Sequence, residues 1–284
     1  MMQNYGGLTE EYTQYDSSDI IVIPVPYDGT STWVKGADRG PAALLEASAN
    51  MELYDIETDS EVYLKGIHTA GEITTEEGPE KLAPLVKEKM LSAFRDGKFP
   101  VLIGGEHSVS IGAFKAAAEM FDDLTILQID AHADLRVTYE DNDHNHACVM
   151  ARAKELAPIV QVGIRSMCVE EKDNMDYHRV FFARDMIQNA NWQHKVLPLL
   201  TDNVYITIDL DAFDPAYLPA TGTPEPGGLD YYTVLDFLKN VNHQANIVGF
   251  DVVELCPAEN MKASDFLATK LIYQLLSYKY FDKK

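Results

Sequence analysis

The sequence has few cysteines and no long apolar run. Its 284 residues include three widely spaced cysteines, Cys148, Cys168 and Cys256. Three scattered thiols do not form a disulfide framework, so we expect a reduced compartment, the cytoplasm. No apolar stretch approaches the roughly 18–20 residues that a membrane helix needs. The N-terminal segment MMQNYGGLTEEYTQYD lacks the basic flank and apolar core of a signal peptide. We therefore expect no membrane partner.

Positive charge is also scarce. Lys and Arg together number 23 against 45 for Asp and Glu, which gives a formal net charge of −22. Such an acidic protein is a poor candidate for a nucleic-acid surface, because it would repel phosphates. Its field raises the local concentration of metal ions and cationic small molecules, although the same charge can serve solubility alone.

The sequence does contain a regular alternation of apolar strands and amphipathic helices. Residues 1–18 are polar and are predicted to form an N-terminal arm, and residues 19–284 a single α/β domain. The alternation favours one mainly parallel sheet of about eight strands with helices on both faces. Strands are predicted at 20–25, 63–67, 99–103, 124–129, 159–164, 180–183, 204–210 and 247–253. Helices are predicted at 41–48, 79–96, 109–120, 146–156, 185–200, 229–241 and 263–278.

The stretch LTILQIDAHAD, residues 124–134, is the most informative part of the chain. Its first half is apolar, as is typical of a strand buried on both faces. Asp130, His132 and Asp134 then alternate with alanine, which places their side chains on one side of an extended backbone. Buried together they would repel one another unless a cation lay between them. Strands that end in polar residues are also common in proteins without a metal ion, so this motif alone does not establish a metal site.

A second acidic pair favours the metal hypothesis. Asp209 and Asp211 also follow an apolar strand, and the carboxyl ends of parallel strands meet at one edge of a sheet. Four carboxylates and two imidazoles, without thiolate, suit Mn²⁺ better than structural zinc. Four negative charges balance two divalent ions, which indicates a binuclear site that activates water for hydrolysis. The six predicted ligands are His107, Asp130, His132, Asp134, Asp209 and Asp211.

Four motifs together resemble those of a known family. They read GGEHS from Gly104, DAHAD from Asp130, DLDAFDPAYLPATGTPEPGG from Asp209 and GFDVVELCP from Gly249. With the early segment VPYDGTSTWVKGADRGPAALLEAS, they make the chain similar to the ureohydrolases, the family of arginases and agmatinases. The resemblance covers about residue 20 to the last helix. It implies the three-layer α/β/α fold shared by arginases and deacetylases, two Mn²⁺ ions per chain, and a homo-oligomer of three or six copies.

The resemblance also implies how the six ligands are shared. The resemblance implies that Asp130 and Asp209 bridge both ions. The remaining ligands divide into two pairs, His107 with Asp134 and His132 with Asp211. A hydroxide between the ions would attack the guanidinium carbon and release urea and an amine.

The family resemblance also implies catalytic and substrate-binding roles for residues around the metal ions. The resemblance makes His146, Asp134 and Glu254 the catalytic residues, with His146 carrying protons to the leaving amine. Glu254, Thr223 and His146 would contact the substrate, and the Glu254 carboxylate can meet a guanidinium in bidentate fashion. The chain departs from the family at His146, because Ala147 stands where the family usually has glycine.

The far end of the substrate distinguishes one guanidino compound from another. The pair Glu225-Pro226 resembles agmatinases more than arginases, and the acidic residues of the loop 140–143 would favour a terminal ammonium. Arg136 would instead favour a carboxylate, as in guanidinobutyrate. We expect a small cationic guanidino substrate, agmatine, cleaved to putrescine and urea. Guanidinobutyrase or arginase activity, a non-catalytic ureohydrolase-like subunit, and a mononuclear zinc deacetylase of the same fold stay open.

Overall fold

The computed structural model describes residues 3–282, which form eight strands and eight α-helices in one three-layer domain. The strands are β1 Ile20–Val25, β2 Ile67–Thr69, β3 Phe99–Gly104, β4 Leu124–Ile129, β5 Ile159–Ile164, β6 Val180–Phe182, β7 Asn203–Asp209 and β8 Asn246–Val253. Neighbours pair in parallel in the order β2-β1-β3-β8-β7-β4-β5-β6. The predicted parallel sheet is confirmed. Residues 1, 2, 283 and 284 of the predicted arm and domain lie outside the described residues.

Helices cover both faces of the sheet. They are α1 Gly40–Ser48, α2 Pro79–Arg95, α3 Ser110–Met120, α4 Val149–Lys154, α5 Ala183–Gln188, α6 Gln193–Val196, α7 Tyr231–Gln244 and α8 Lys262–Phe281. In β1, Ile20 and Val22 join the core that contains α1, α7 and α8. Ile21 and Ile23 join the core on the opposite face with α2, α3 and α4. This alternation is the period-two pattern of a strand buried on both sides.

The strand predicted at 63–67 is wrong. Residues Val62–Lys65 form a short 3₁₀ helix, and the strand β2 begins at Ile67. Gly66 lies between them with a φ of +73°, and a Cβ there would lie 2.7 Å from the Cα of Ser18. The chain therefore turns at the one residue without a side chain before it pairs with β1.

The single helix predicted at 185–200 is divided in the structure. The helix α5 ends at Gln188, and α6 starts at Gln193. Between them Asn189 has extended backbone, and its side-chain oxygen accepts a hydrogen bond from the N–H of Asn191 at 3.1 Å. Such local side-chain bonding competes with helix formation, so the helix is interrupted at this asparagine.

The segment before residue 18 contacts the domain. Tyr5 is fully buried, and its hydroxyl donates to the carbonyl of Thr269 in α8 at 2.7 Å. Its backbone N–H donates to the hydroxyl of Thr69 at 2.9 Å. Burial of one aromatic ring thus fixes a segment whose sequence is otherwise polar.

Four central strands bring the predicted site residues together. In the order β3-β8-β7-β4 they end next to one another, and their carboxyl ends lead into His107, Glu254, Asp209 and Asp130 respectively. This is the edge at which parallel sheets form their sites. Within residues 3–282, no helix has the length and apolarity that crossing a bilayer requires.

Candidate metal centre and active site

Among the described residues, two groups of side chains could each hold a metal ion. His107, Asp130 and Asp134 form one group, and Asp130, His132 and Asp211 form the other. Within each group the ligand atoms lie within 4.8 Å of one another. Asp130 is shared, so the two groups are adjacent. Asp209 joins the first group, because its Oδ2 lies 3.3 Å from Nδ1 of His107.

The orientation of the His107 ring reveals how the site is prepared. Its Nε2 lies 2.8 Å from the hydroxyl of Thr207, and that hydroxyl donates to Oδ1 of Asp251 at 2.6 Å. A threonine hydroxyl has one proton, which Asp251 receives. Nε2 of His107 must therefore be the donor to Thr207, and Nδ1 is left as the lone-pair nitrogen of the neutral ring.

That lone pair faces three carboxylates. Nδ1 of His107 lies 3.1 Å from Asp134, 3.3 Å from Asp130 and 3.3 Å from Asp209, and it has no hydrogen-bond partner. Burial alone would lower the pKa of His107, but the three carboxylates raise it well above its ordinary value, so a proton on Nδ1 takes the place of a metal ion in the metal-free site. The donor set, of oxygens and imidazole nitrogens without sulfur, fits Mn²⁺ and related divalent ions.

The acid–base properties of the cluster also fit a cation. Burial, followed by the charges of Asp211 and Asp134, raises the pKa of Asp130 to about 7. Burial and the charges of Asp211 and Asp130 likewise raise the pKa of Asp209 well above its ordinary value. Ionised together, these carboxylates repel one another, and divalent ions would remove that repulsion.

The second group contains a close pair. Nδ1 of His132 lies 2.8 Å from Oδ2 of Asp211, whose Oδ1 accepts the N–H of Ala131 at 3.1 Å. Burial alone would lower the pKa of His132, but Asp211 and Asp130 raise it to about 11. Burial would raise the pKa of Asp211, and His132 lowers it to about 2. A proton here occupies the place that a metal ion would take.

Two residues at the same edge of the sheet have strained backbone. Asp134 and Glu254 have φ values of +51° and +66°, a region that L-residues with side chains rarely adopt. Glu254 directly follows β8, and Asp134, itself a candidate ligand, lies in the segment that follows β4. Such strain is typical of functional sites, where the surrounding structure holds a side chain in a required direction.

A row of buried polar side chains crosses the sheet beneath the ligands. In the strand register Gln161 pairs with Gln128, Gln128 with Thr207, and Thr207 with Asp251. Gln128 donates to Oδ2 of Asp130 at 2.6 Å, and Gln161 donates to Gln128 at 2.6 Å. This row was not predicted from the sequence. One sequence pattern could have indicated it: Gln128 is a polar residue in a mostly apolar strand, two positions before the candidate ligand Asp130 and therefore on the same side of the strand.

Arg165 is a second supporting residue that the sequence did not reveal. Its guanidinium donates to the carbonyls of Asp211 at 2.6 Å, Glu225 at 2.9 Å and Gly163 at 3.1 Å. These bonds join the end of β5 to the two loops that carry Asp211 and Glu225. No pattern in the sequence distinguishes this arginine from a surface arginine.

Five of the six candidate ligands line a cavity of about 290 Å³, and the sixth, Asp130, is fully buried. The remaining predicted site residues, Glu254, Thr223 and His146, all line it. Oε1 of Glu254 accepts the N–H of His107 at 2.8 Å, and burial, followed by the charge of Glu106, raises its pKa. The Thr223 hydroxyl lies 3.4 Å from Oδ2 of Asp211. A cationic group entering the cavity would stabilise the ionised form of Glu254.

His146 is placed by the loop that follows β1. Its Nδ1 and its backbone N–H both lie 3.0 Å from the hydroxyl of Thr30. The preceding Asn145 begins a short 3₁₀ helix by accepting the N–H of Ala147 at 3.1 Å. The rings of His146 and Tyr139 are nearly perpendicular, with their centroids 6.1 Å apart.

The acidic loop 140–143 does not line this cavity. Asp143 lies 2.6 Å from His144 and 3.5 Å from Arg152, so its charge is neutralised outside the site. Arg136 does line the cavity, and its guanidinium stacks 4.1 Å from the centre of the Tyr139 ring. The expectation that the loop acids meet a substrate ammonium is therefore not supported by their placement.

Comparison with known proteins identifies the family to which this chain belongs. The arginase family profile matches residues 18–277. The chain is 38% identical to N(1)-aminopropylagmatine ureohydrolase of Synechocystis sp., over 95% of this chain and 92% of that protein. It is 31% identical to agmatinase of Halalkalibacterium halodurans, over 93% of both chains.

A solved structure, that of the agmatine ureohydrolase of Thermoplasma volcanium, superimposes with a TM-score of 0.86 at 32% identity. The match covers 94% of this chain and 92% of that one. Profile, sequence and fold thus agree over nearly the whole chain. The chain belongs to the arginase family of ureohydrolases, hydrolases that act on the carbon–nitrogen bonds of linear amidines.

Proposed function

We propose that this protein hydrolyses agmatine to putrescine and urea with two Mn²⁺ ions. The observation that carries the proposal is the shared carboxylate, Asp130, between two groups of candidate ligands next to an acidic cavity. His107, Asp134 and Asp209 would complete the ligand set of one ion. His132, Asp211 and Asp209 would complete that of the other. When bound, the two ions supply a water that is activated at neutral pH.

Residues of the chain then bind and orient the guanidinium. Glu254 is the buried carboxylate on the cavity wall, and its Oε1 is held by the N–H of His107. A planar guanidinium offers paired N–H donors, so it can neutralise the charge of this carboxylate and form two parallel hydrogen bonds with it, which a simple ammonium cannot. Thr223 also lines the cavity, and the contact of its hydroxyl with Asp211 at 3.4 Å would hold the loop 221–228 beside the bound group.

Bond formation and proton transfer balance without an external reagent. The oxygen of water forms a bond to the guanidinium carbon, and the bond from that carbon to the alkylated nitrogen breaks. A proton must reach the leaving nitrogen, and His146 is the imidazole on the cavity wall that can carry it. Urea and a protonated amine are the products.

A longer substrate is the second candidate, N(1)-aminopropylagmatine. The relative at 38% identity has this specificity in its name, whereas the agmatinase relative is 31% identical. A second cavity of about 440 Å³ shares Arg136 and Cys168 with the first and has Glu170 on its wall. A substrate that extends past Cys168 would reach this carboxylate with its terminal ammonium.

The experiment is urea release from four compounds by the Mn²⁺-loaded protein. We expect agmatine or its aminopropyl derivative to be cleaved far faster than arginine or guanidinobutyrate. Glu170→Gln separates the two candidates, because it would raise the KM for the longer substrate and leave that for agmatine unchanged. Faster release from arginine or guanidinobutyrate would contradict the proposal.

A non-catalytic subunit and a zinc deacetylase would each give a different result in this assay. No urea from any of the four compounds, with metal bound, would favour a non-catalytic subunit. One zinc ion per chain would favour a deacetylase. Assembly into three or six copies stays a prediction, and light scattering of the purified protein measures it.

A further inference from the structure

Two glutamine side chains form a chain of hydrogen bonds beneath the shared candidate ligand Asp130. Gln128 in β4 and Gln161 in β5 are direct partners in the strand register, and both are fully buried. Nε2 of Gln161 donates to Oε1 of Gln128 at 2.6 Å and to the carbonyl of Ala133 at 2.7 Å. Nε2 of Gln128 donates to Oδ2 of Asp130 at 2.6 Å and to the carbonyl of His132 at 3.2 Å. The two amides therefore end on the segment that carries the candidate ligands.

The partners at each end fix the direction of both amides. A backbone carbonyl can only accept, so the end of the Gln161 amide that meets Ala133 must be its NH₂ group. The same NH₂ group meets Gln128, whose atom there must be the oxygen. The NH₂ group of Gln128 is then directed at Asp130. This assignment uses only amides and a backbone carbonyl, whose protonation does not change with pH.

Each oxygen of Asp130 has its own donor and faces a different group of candidate ligands. Oδ2, which accepts from Gln128, lies 3.3 Å from Nδ1 of His107 in the first group. Oδ1 accepts the backbone N–H of His132 at 2.6 Å and lies 3.7 Å from Nδ1 of that residue, in the second group. One donor on each oxygen fixes the plane of the carboxylate, so Asp130 spans the two groups.

We propose that Gln128, oriented by Gln161, is a positioning residue that holds the Asp130 carboxylate across the two candidate metal positions. This inference rests on the proposed function for the two Mn²⁺ ions, but its test does not depend on urea release. The torsion that turns an aspartate carboxylate is broad, so the carboxylate is free to turn when Oδ2 loses its donor. The N–H of His132 still holds Oδ1, so the group of His107 is the one that loses a ligand.

The test compares Gln128→Met, which has a similar length and no donor, with Thr125→Val in the same strand. Thr125 is fully buried at the other end of β4 and bonds to the hydroxyl of Thr201 at 2.8 Å. We expect Mn²⁺ titration of the metal-free, full-length Gln128→Met protein to show one ion weakened about 10–100-fold and the other close to the wild type. Thr125→Val loses a buried hydrogen bond but should bind both ions as the wild type does. Unchanged binding or equal weakening of both ions in Gln128→Met, or the same weakening in Thr125→Val, would overturn the inference.

The second readout is electron paramagnetic resonance, which distinguishes a coupled pair of Mn²⁺ ions from isolated ions. At a free Mn²⁺ concentration that fills both wild-type positions, we expect a coupled pair in the wild type and isolated ions in Gln128→Met. Gln161→Met keeps the donor but lets the Gln128 amide turn over, so it should weaken the same ion, and wild-type spectra in both variants would overturn the inference. A coupled pair without urea release would refute the proposed function and leave the inference standing. Urea release by a wild type that binds one ion would overturn the inference and leave the hydrolase standing.

Discussion

Nε2 of His107, in the segment after β3, lies 2.8 Å from the hydroxyl of Thr207 in β7. Because Thr207 gives its own proton to Asp251, it can only accept from His107. The result is a ring whose Nδ1 is directed at three carboxylates, so that a metal ion replaces the proton that these carboxylates favour on Nδ1 in its absence. The protein therefore prepares this candidate ligand through residues that do not themselves face the metal.

The first prediction concerns this support of His107. Thr207→Val removes the acceptor for Nε2 and frees the ring to rotate or to change tautomer. We expect metal affinity to fall about 10–100-fold, the usual effect of losing the hydrogen-bond partner of a ligating histidine. Isothermal titration with Mn²⁺ measures the affinity.

Thr207→Ser is the matched control, because it keeps the hydroxyl and loses one methyl group. Its Mn²⁺ affinity should stay close to that of the wild type. Equal weakening in both variants would mean that packing of the methyl group, rather than the hydrogen bond, supports His107.

The second prediction separates the acid–base residue from the ligands. His146→Ala should retain its metal and slow urea release by roughly 10²–10⁴-fold, because it removes a group that carries protons. Asp209→Ala should lose metal, because its carboxylate lies 3.3 Å from Nδ1 of His107. Metal analysis and urea assays on both variants measure this. Equal metal loss in both would make His146 a ligand.

The third prediction concerns the pH dependence of metal binding. In the metal-free fold, burial and the neighbouring carboxylates raise the pKa of Asp130 to about 7. Burial would lower the pKa of His132, but its carboxylate neighbours raise it to about 11. Both groups hold protons that a metal ion must displace, so binding should release protons and weaken as the pH falls below about 11, and more steeply below about 7, where Asp130 is protonated as well. Titrations in buffers of different ionisation enthalpy count the protons, and pH-independent affinity would contradict this prediction.

The fourth prediction concerns the loop that carries Thr30. Asp28 closes it by accepting the N–H of Gly36 at 2.6 Å and that of Ala37 at 3.1 Å, with Ser31 and Lys35 as further partners. Burial alone would raise the pKa of Asp28, but these partners lower it below its ordinary value. Its contribution to stability is therefore complete above about pH 4 and is lost as the pH falls through the lowered pKa.

Asp28→Asn tests this loop. At neutral pH we expect the free energy of unfolding to fall by roughly 1–3 kcal/mol, as for hydrogen bonds to a charged group. The difference from the wild type should shrink below about pH 4, where Asp28 of the unfolded chain becomes protonated, and vanish as the pH falls through the lowered pKa of the folded state. Denaturant melts at several pH values measure it, and a difference that is constant with pH would refute the assignment.

The sequence predicted much of this site because its ligands stand in strand-end motifs. Asp130, His132 and Asp134 alternate along one extended segment, and their convergence follows from the spacing alone. Thr207 and Asp251 could not be paired in the same way, because their contact depends on the register between β7 and β8. Register is set by the whole sheet, so a single strand does not reveal which polar residue it will meet.

The errors in the fold have a similar origin. The helix predicted at 185–200 has suitable spacing, but the side-chain bond of Asn189 to the N–H of Asn191 interrupts it. The strand predicted at 63–67 was displaced because Gly66 lies against Ser18, a contact formed between segments distant in sequence. Local patterns predicted the existence of most elements, and tertiary contacts determined their ends.

The most direct test of the binuclear site is the number of manganese ions that each chain binds in the wild type and in Asp130→Asn. Asp130 is the one residue common to both groups of candidate ligands in the described part of the chain. We predict two ions per chain in active wild-type protein, and loss of both metal and urea release in Asp130→Asn. One ion per chain at full activity, or an Asp130→Asn variant that keeps two ions, would contradict a centre built on this shared carboxylate.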